Sequence, residues 1–450
     1  MFKREIINEL RQWRKLENRK PLILRGARQT GKTTIVEQFA AEYNQYIYLN
    51  LERTFDREIF VNYRSIEDIV QFIFFQYNKK IEKIADTLLF IDEIQQSPEA
   101  VALLRYFYEN YPDLHVIAAG SLLETLLGKS INFPVGRVEY RAVRPVSFAE
   151  FLLAMNEEQA LEQYHLIPVK DFAHEKLLKL FHTYTLIGGM PEIVANYVKN
   201  RDLTVLQNLY ESLLLPYFDD VEKYAKNSGQ IQIIRHAIRS IFYEAGRRIK
   251  FQGFGASSYN SKEMSEAVRI LEKAMLIQLI FPTTQTEPPF LPDIKKSPRL
   301  QVLDTGMLNF FSGLQKDLFG TQDLNKVYKG KIAEHIVGQE LLASNYSLLN
   351  SLHFWVRDKK QSEAEIDIMY PYNSAMIPVE VKSGTSGKLR SLLYFLDTSS
   401  IDFAVRFYAG KLQLEEHKTH SGKTFKLLNL PYYLSGKLRG YLDYYLEKII

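Results

Sequence analysis

Gly26-Ala27-Arg28-Gln29-Thr30-Gly31-Lys32-Thr33 is the stretch on which the reading of this chain turns. It fits the pattern GxxxxGK[ST]; the apolar run Pro21–Arg25 before it has strand length, and Lys32–Glu42 reads as a helix. Strand, glycine-rich loop and helix in that order are what phosphate binding requires. The glycines let backbone N–H groups curl around a β-phosphate, and the helix N-terminus adds a positive dipole. Lys32 is placed to bridge the β- and γ-phosphates and Thr33 to coordinate Mg²⁺, with Ala27, Arg28, Gln29, Thr30 and Thr34 around them. A plain Gly-rich turn carrying a surface lysine would share the pattern without the strand and helix that frame it here.

The second half of such a site is a hydrophobic strand ending in an acid, and Thr87-Leu88-Leu89-Phe90-Ile91-Asp92-Glu93 supplies it. Asp92 is the expected magnesium ligand. Glu93, immediately beyond it, is the expected base that polarises the attacking water, so the adjacent pair predicts hydrolysis. Another strand, Leu114–Ala119, leads into Gly120-Ser121. Ser121 there is expected to sense the γ-phosphate or position the water, although a serine at that point also suits a helix N-cap. Arg137 is a candidate arginine finger; a lone arginine equally makes a surface ion pair. No NKxD guanine-reading motif and no LSGGQ-type signature occurs, so the nucleotide expected is ATP.

Outward from these motifs, strand-length runs (Pro21–Arg25, Tyr46–Leu51, Thr87–Ile91, Leu114–Ala119) alternate with helices such as Pro98–Asn110. That alternation predicts an α/β domain with a parallel sheet. The chain has 450 residues, more than one core usually serves, and 46% hydrophobic content. Without cysteine, disulfide frameworks, thiolate metal sites and cysteine nucleophiles are excluded, which suits a cytoplasmic protein. No run approaches the ~20 apolar residues of a bilayer span, so no membrane partner is expected. The net charge of +4 is small, yet residues 231–300 hold 11 Lys+Arg against 6 Asp+Glu, a local +5.

The motifs resemble those of prokaryotic AAA-like ATPases of the AAA_14 type followed by a DUF4143 C-terminal region. The resemblance rests on residues 24–34 and on Phe90-Ile91-Asp92-Glu93-Ile94-Gln95, Ala119-Gly120-Ser121 and Arg144-Pro145-Val146-Ser147-Phe148-Ala149-Glu150-Phe151. Gly188-Gly189-Met190-Pro191-Glu192 and Leu303-Asp304-Thr305-Gly306-Met307-Leu308 extend it over most of the chain. It implies an additional-strand P-loop ATPase domain, with the site roles carried onto Lys32, Thr33, Asp92 and Glu93, and onto Ser121 and Arg137.

Beyond the ATPase motifs the pattern is nearly all helical from about Val146 to Lys226, which predicts a helical lid or linker. Then Met264, Ala267, Val268, Leu271, Ala274 and Met275 trace one helix face before the strand-like Leu276–Phe281. With an earlier helix carrying Ile234, Ala237, Ile238 and Ile241, this suggests a winged helix. Lys262, Arg269 and Lys273 would meet DNA phosphates, while Glu263, Glu266 and Glu272 on the same helix favour protein contacts equally. Further on, Asp367 and Glu380-Val381-Lys382 lie on two apolar strands with 12 residues between Asp367 and Glu380. This resembles a PD-(D/E)xK nuclease core in a restriction-endonuclease-like α/β domain. Alternation puts Glu380 and Lys382 on one strand face, with Glu334 on the helix Gly330–Leu342 as an additional acid. A fold inherited without cleavage activity has the same pattern. The expected domains are 1–160 (ATPase), 161–229 (helical lid), 230–300 (winged helix) and 301–450 (nuclease-like).

Overall fold

The parallel sheet expected around the phosphate loop is present in the computed structural model, which describes residues 2–63, 65–121, 134, 136–225, 227–315, 331–358, 364–382 and 389–446. Two compact units divide the chain: one comprises Met1–Arg144 with 273–275 and 346–349, the other the remainder. In the first unit the strands are β1 Leu22–Arg25, β2 Gln45–Asn50, β3 Thr87–Asp92, β4 His115–Gly120 and β5 Glu139–Ala142, in the spatial order β2-β3-β4-β1-β5. Every neighbouring pair is parallel. β4 is therefore inserted between the phosphate-loop strand and the acidic strand.

The central strands β3 and β4 are buried on both faces, as the middle of a parallel sheet requires. Leu22, Leu24, Leu88, Phe90, Ile117 and Ala119 pack with Ile35, Val36 and Phe39 of helix α1 (Lys32–Ala40) and with the N-terminal helix Ile6–Arg14. Ile23, Leu89, Ile91, Val116 and Ala118 point to the other face, against the helices Thr54–Asn62, Ile66–Gln76 and Pro98–Asn110. Fully burying each large side chain of this kind contributes roughly 1.5–3 kcal/mol, far above the propensity differences that would argue for another arrangement.

The second unit opens with helices from Phe148 to Tyr224, broken at Gly188-Gly189. Ser147 and Glu150 form a reciprocal capping box at the start of the first of these helices. The break is a packing junction. Gly189 N–H donates to Asp304 Oδ2 at 2.5 Å, and Val146 N–H donates to Gly189 O at 2.7 Å. Any Cβ on Gly306 would overlap the Ile187 carbonyl. Three of the motifs thus interlock in the interior: the loop at Val146, the Gly188-Gly189 turn and the Asp304-Thr305-Gly306 helix start. Nearby, buried Glu340 accepts from Phe148 N–H at 3.1 Å and from Tyr184 Oη at 2.7 Å.

Two helices, Ser228–Glu244 and Ser261–Lys273, precede an antiparallel pair, β6 Ile277–Ile280 and β8 Arg299–Val302; β7 is the two-residue strand Pro282–Thr283. The C-terminal part is a seven-stranded mixed sheet. Its remaining strands are β9 His353–Val356, β10 Glu365–Tyr372, β11 Ala375–Val381, β12 Phe403–Tyr408, β13 Gln413–Lys418 and β14 Thr424–Pro431, in the order β13-β14-β12-β11-β10-β9-β7. Helix Arg390–Thr398 covers one face through Leu392, Phe395 and Leu396. The helix expected at Gly330–Leu342 is described over Lys331–Ala343. Among the described residues no helix is long and apolar enough to cross a membrane.

Candidate nucleotide site and C-terminal ion cluster

The parallel order brings the phosphate loop after β1, Asp92-Glu93 at the end of β3 and Ser121 after β4 to the same sheet edge. The loop turns through left-handed residues Gln29 (φ 63°) and Gly31 (φ 89°) into α1. At Gly26 a Cβ would overlap the Val143 carbonyl, so only glycine fits there. Lys32 is 7% exposed, and its Nζ donates to the carbonyls of Gly26 at 3.0 Å and Ala27 at 2.8 Å. Burial lowers its pKa to about 8, with Glu93 and Asp92 offsetting part of the effect. An ammonium held in this desolvated pocket interacts strongly with an entering phosphate.

Thr33 Oγ1 donates to Asp92 Oδ2 at 2.7 Å. A hydroxyl and a buried carboxylate in contact are a donor set that fits Mg²⁺ beside a bound triphosphate. Burial raises the Asp92 pKa, and the Thr33 hydrogen bond works against that rise. Glu93 adopts φ 51°, an uncommon conformation for a non-glycine residue that costs on the order of 1 kcal/mol or more and recurs at functional sites. Its carboxylate accepts from the Gln95 side chain. Ser121 is 3% exposed and its Oγ has no hydrogen-bond partner among the described residues, leaving a buried hydroxyl at the end of the strand between the loop and the acidic pair.

Arg137 is placed differently from the expectation. Leu22 is in register with Glu139, so Arg137 stands before β5 at the sheet edge opposite the phosphate loop, where it pairs with Glu109 at 2.5 Å. Within one chain it is a surface ion pair. Arg4 went unremarked in the sequence: it is buried and donates to Thr30 O at 3.1 Å and Arg144 O at 2.8 Å, bracing the loop. No local pattern signals that contact.

In the second unit Asp367, Glu380, Lys382 and Glu334 come together. Lys382 Nζ bonds Glu380 and lies 3.9 Å from Asp367 Oδ2, so one ammonium joins the two carboxyl groups. Asp367 sits where the β9–β10 register shifts between Ile366 and Met369, a bulge of the kind that re-aims a side chain. Two members were missed. Glu365 shares Asp367's strand face by period-two alternation and could have been read off. Arg299 comes from β8, distant in sequence, and contacts Glu365 at 2.6 Å, Glu334 at 3.4 Å and Asp367 Oδ1 at 3.8 Å.

Burial, reinforced by Asp367, holds the carboxyls of Glu334 and Glu380 well above the usual carboxylate range. For Lys382 burial opposes the charge, and Glu380 with Asp367 outweighs it, so its pKa is raised. These carboxylates are committed to cations of the chain. Among the described residues no group of three or more His, Cys, Asp or Glu side chains is arranged to hold a metal ion. In this arrangement the cluster does not fit the expected Mg²⁺.

Residues 18–152 match the AAA domain family AAA_14, residues 178–318 a domain of unknown function, DUF8612, and residues 329–433 another, DUF4143. A search of curated proteins finds no match. Among solved structures, the Walker-type ATPase of Pyrococcus abyssi is similar at 17% identity and a TM-score of 0.43, covering 69% of this chain and 96% of that one. The chain carries an AAA_14 ATPase domain followed by a DUF4143 domain, the combination that its motifs resemble.

Proposed function

We propose that the chain binds MgATP, hydrolyses it, and uses the nucleotide state to control a C-terminal module associated with nucleic acid. One observation carries the first part: Lys32, Thr33, Asp92, Glu93 and Ser121 gather at one edge of a parallel sheet, with Thr33 already on Asp92 at 2.7 Å. Bound magnesium would neutralise developing charge on the phosphates, held through Thr33 and Asp92. Lys32 leaves the loop carbonyls for the β- and γ-phosphates. Glu93 exchanges Gln95 for a water and accepts its proton, and the buried Ser121 hydroxyl orients that water or the γ-phosphate. Catalysis on this reading belongs to residues 1–160.

The nucleic-acid reading of residues 230–300 draws support from helix Ser261–Lys273. Lys262, Arg269 and Lys273 recur on one exposed face, with exposed Glu263 and Glu266 beside them. Glu272 accepts from Leu279 N–H at 2.9 Å and so faces the strand pair instead. That shifts the outward balance toward positive charge and toward phosphates. A second reading makes the protein a nucleotide-dependent regulatory switch acting on protein partners, its nuclease-like fold binding without cleaving. The cation-filled cluster at Asp367 favours it. ATP turnover measured with and without duplex DNA, with DNA integrity followed in the same samples, separates the two: DNA-stimulated turnover supports the first, slow turnover indifferent to DNA the second.

A further inference from the structure

We infer that Arg299 is a built-in cation that excludes divalent metal from the carboxylate cluster. The inference rests on reading that cluster as nuclease-like and adds a control to it. Both oxygens of Asp367 are occupied: Oδ1 faces Arg299, while Oδ2 accepts from Val381 N–H at 2.8 Å and faces Lys382. Both oxygens of Glu365 are occupied as well, Oε2 by Arg299 and Oε1 by Arg248 at 3.0 Å. Arg299 Nη1 also donates to the Asp367 carbonyl at 3.2 Å and contacts Glu334.

A divalent ion needs several oxygens at roughly 2.1–2.6 Å, through lone pairs that the guanidinium N–H groups already engage. The two cations therefore compete for the same lone pairs. The space beside Arg299, bordered by Glu334, His335 and Asp367, is small, about 30 Å³. The guanidinium is fixed on its other side over the Phe354 ring, 4.6 Å from the centroid. It is supplied by β8, which pairs with β6 on one side and accepts from Gly246 N–H at Leu300 O, 2.9 Å, on the other, so the backbone that carries Arg299 is held from both sides. Arg248 forms a backbone β-bridge with Arg299, and its side chain shares Glu365, so a second arginine helps to hold the carboxylates.

The test is Mn²⁺ binding by calorimetry to the full-length, nucleotide-free protein. Arg299→Met keeps the stem and removes the charge. It should bind Mn²⁺ at least about tenfold more tightly than the wild type, the lower end of what outer groups of a metal site control. Adding Asp367→Asn should abolish the gain. If Arg299→Met failed to fold by circular dichroism, Arg299→Lys, with fewer donors, should show a smaller gain in the same direction. Two results overturn the inference. Wild-type binding as tight as the variant's, and lost in Asp367→Asn, would leave a metal site that Arg299 does not guard. Absence of Asp367-dependent binding in every form would remove the metal site itself.

Discussion

At the scale of single residues, the strongest consequences concern buried charge. Lys32 lies in a pocket where screening is weak, so Lys32→Ala should abolish productive ATP binding; unchanged affinity in a nucleotide titration would remove the phosphate-loop assignment. Glu93→Gln should retain MgATP while turnover falls at least about a hundredfold, the low end of a positioned base. Loss of binding together with turnover would make Glu93 structural. Asp304 supplies a pH dependence. It is wholly buried, and burial raises its pKa to about 6 although Gly189, Met307 and Gly306 N–H groups pull it down. The folded chain thus holds this proton more tightly than the unfolded chain, so the contribution is present below about pH 4 and is lost as pH rises through about 6. The shift is worth on the order of 3 kcal/mol. Asp304→Asn should be less stable overall because it loses an acceptor. Its deficit relative to the wild type should shrink by that amount between about pH 4 and about pH 7 in denaturant titrations.

At the scale of elements, helix Ser261–Lys273 has a buried face at Met264, Ala267, Val268 and Leu271 and an outward face that carries the cations. Neutralising Lys262, Arg269 and Lys273 should weaken DNA binding and flatten its salt dependence, by about one unit of slope for each phosphate the helix no longer neutralises. An unaltered slope would assign the helix to protein contacts. The junction of the Gly188-Gly189 turn with the Asp304-Thr305-Gly306 helix start offers a stability test. Gly306→Ala drives a methyl into the Ile187 carbonyl, which is backbone and cannot rotate away. A drop of at least about 2 kcal/mol in unfolding free energy is expected, within the range for overpacking. These motifs carry the family resemblance in the sequence without showing why they are there; the reason is interior packing, with no chemistry of their own.

For the molecule as a whole, the nucleotide half was legible because its chemistry is local. A strand, a glycine-rich turn and a helix adjacent in sequence make the cradle, and apolar runs of strand length set β1, β3 and β4 with ends within two residues of expectation. Asp92 and Glu93 followed from being the first acids after an apolar run. What the sequence by itself determined was therefore the set of elements and the residues that each presents at its end. Only the tertiary structure decided which ends meet. Strand order put Ser121 between the loop and the acids and set Arg137 at the opposite edge, because parallel register fixes direction for the whole strand. It also brought Arg299 to Asp367 across 67 intervening residues, and no periodicity reports a contact between separate strands. A carboxylate pair spaced like a metal site is a property of one hairpin, whereas whether a metal or an arginine fills it depends on the neighbour that the fold supplies.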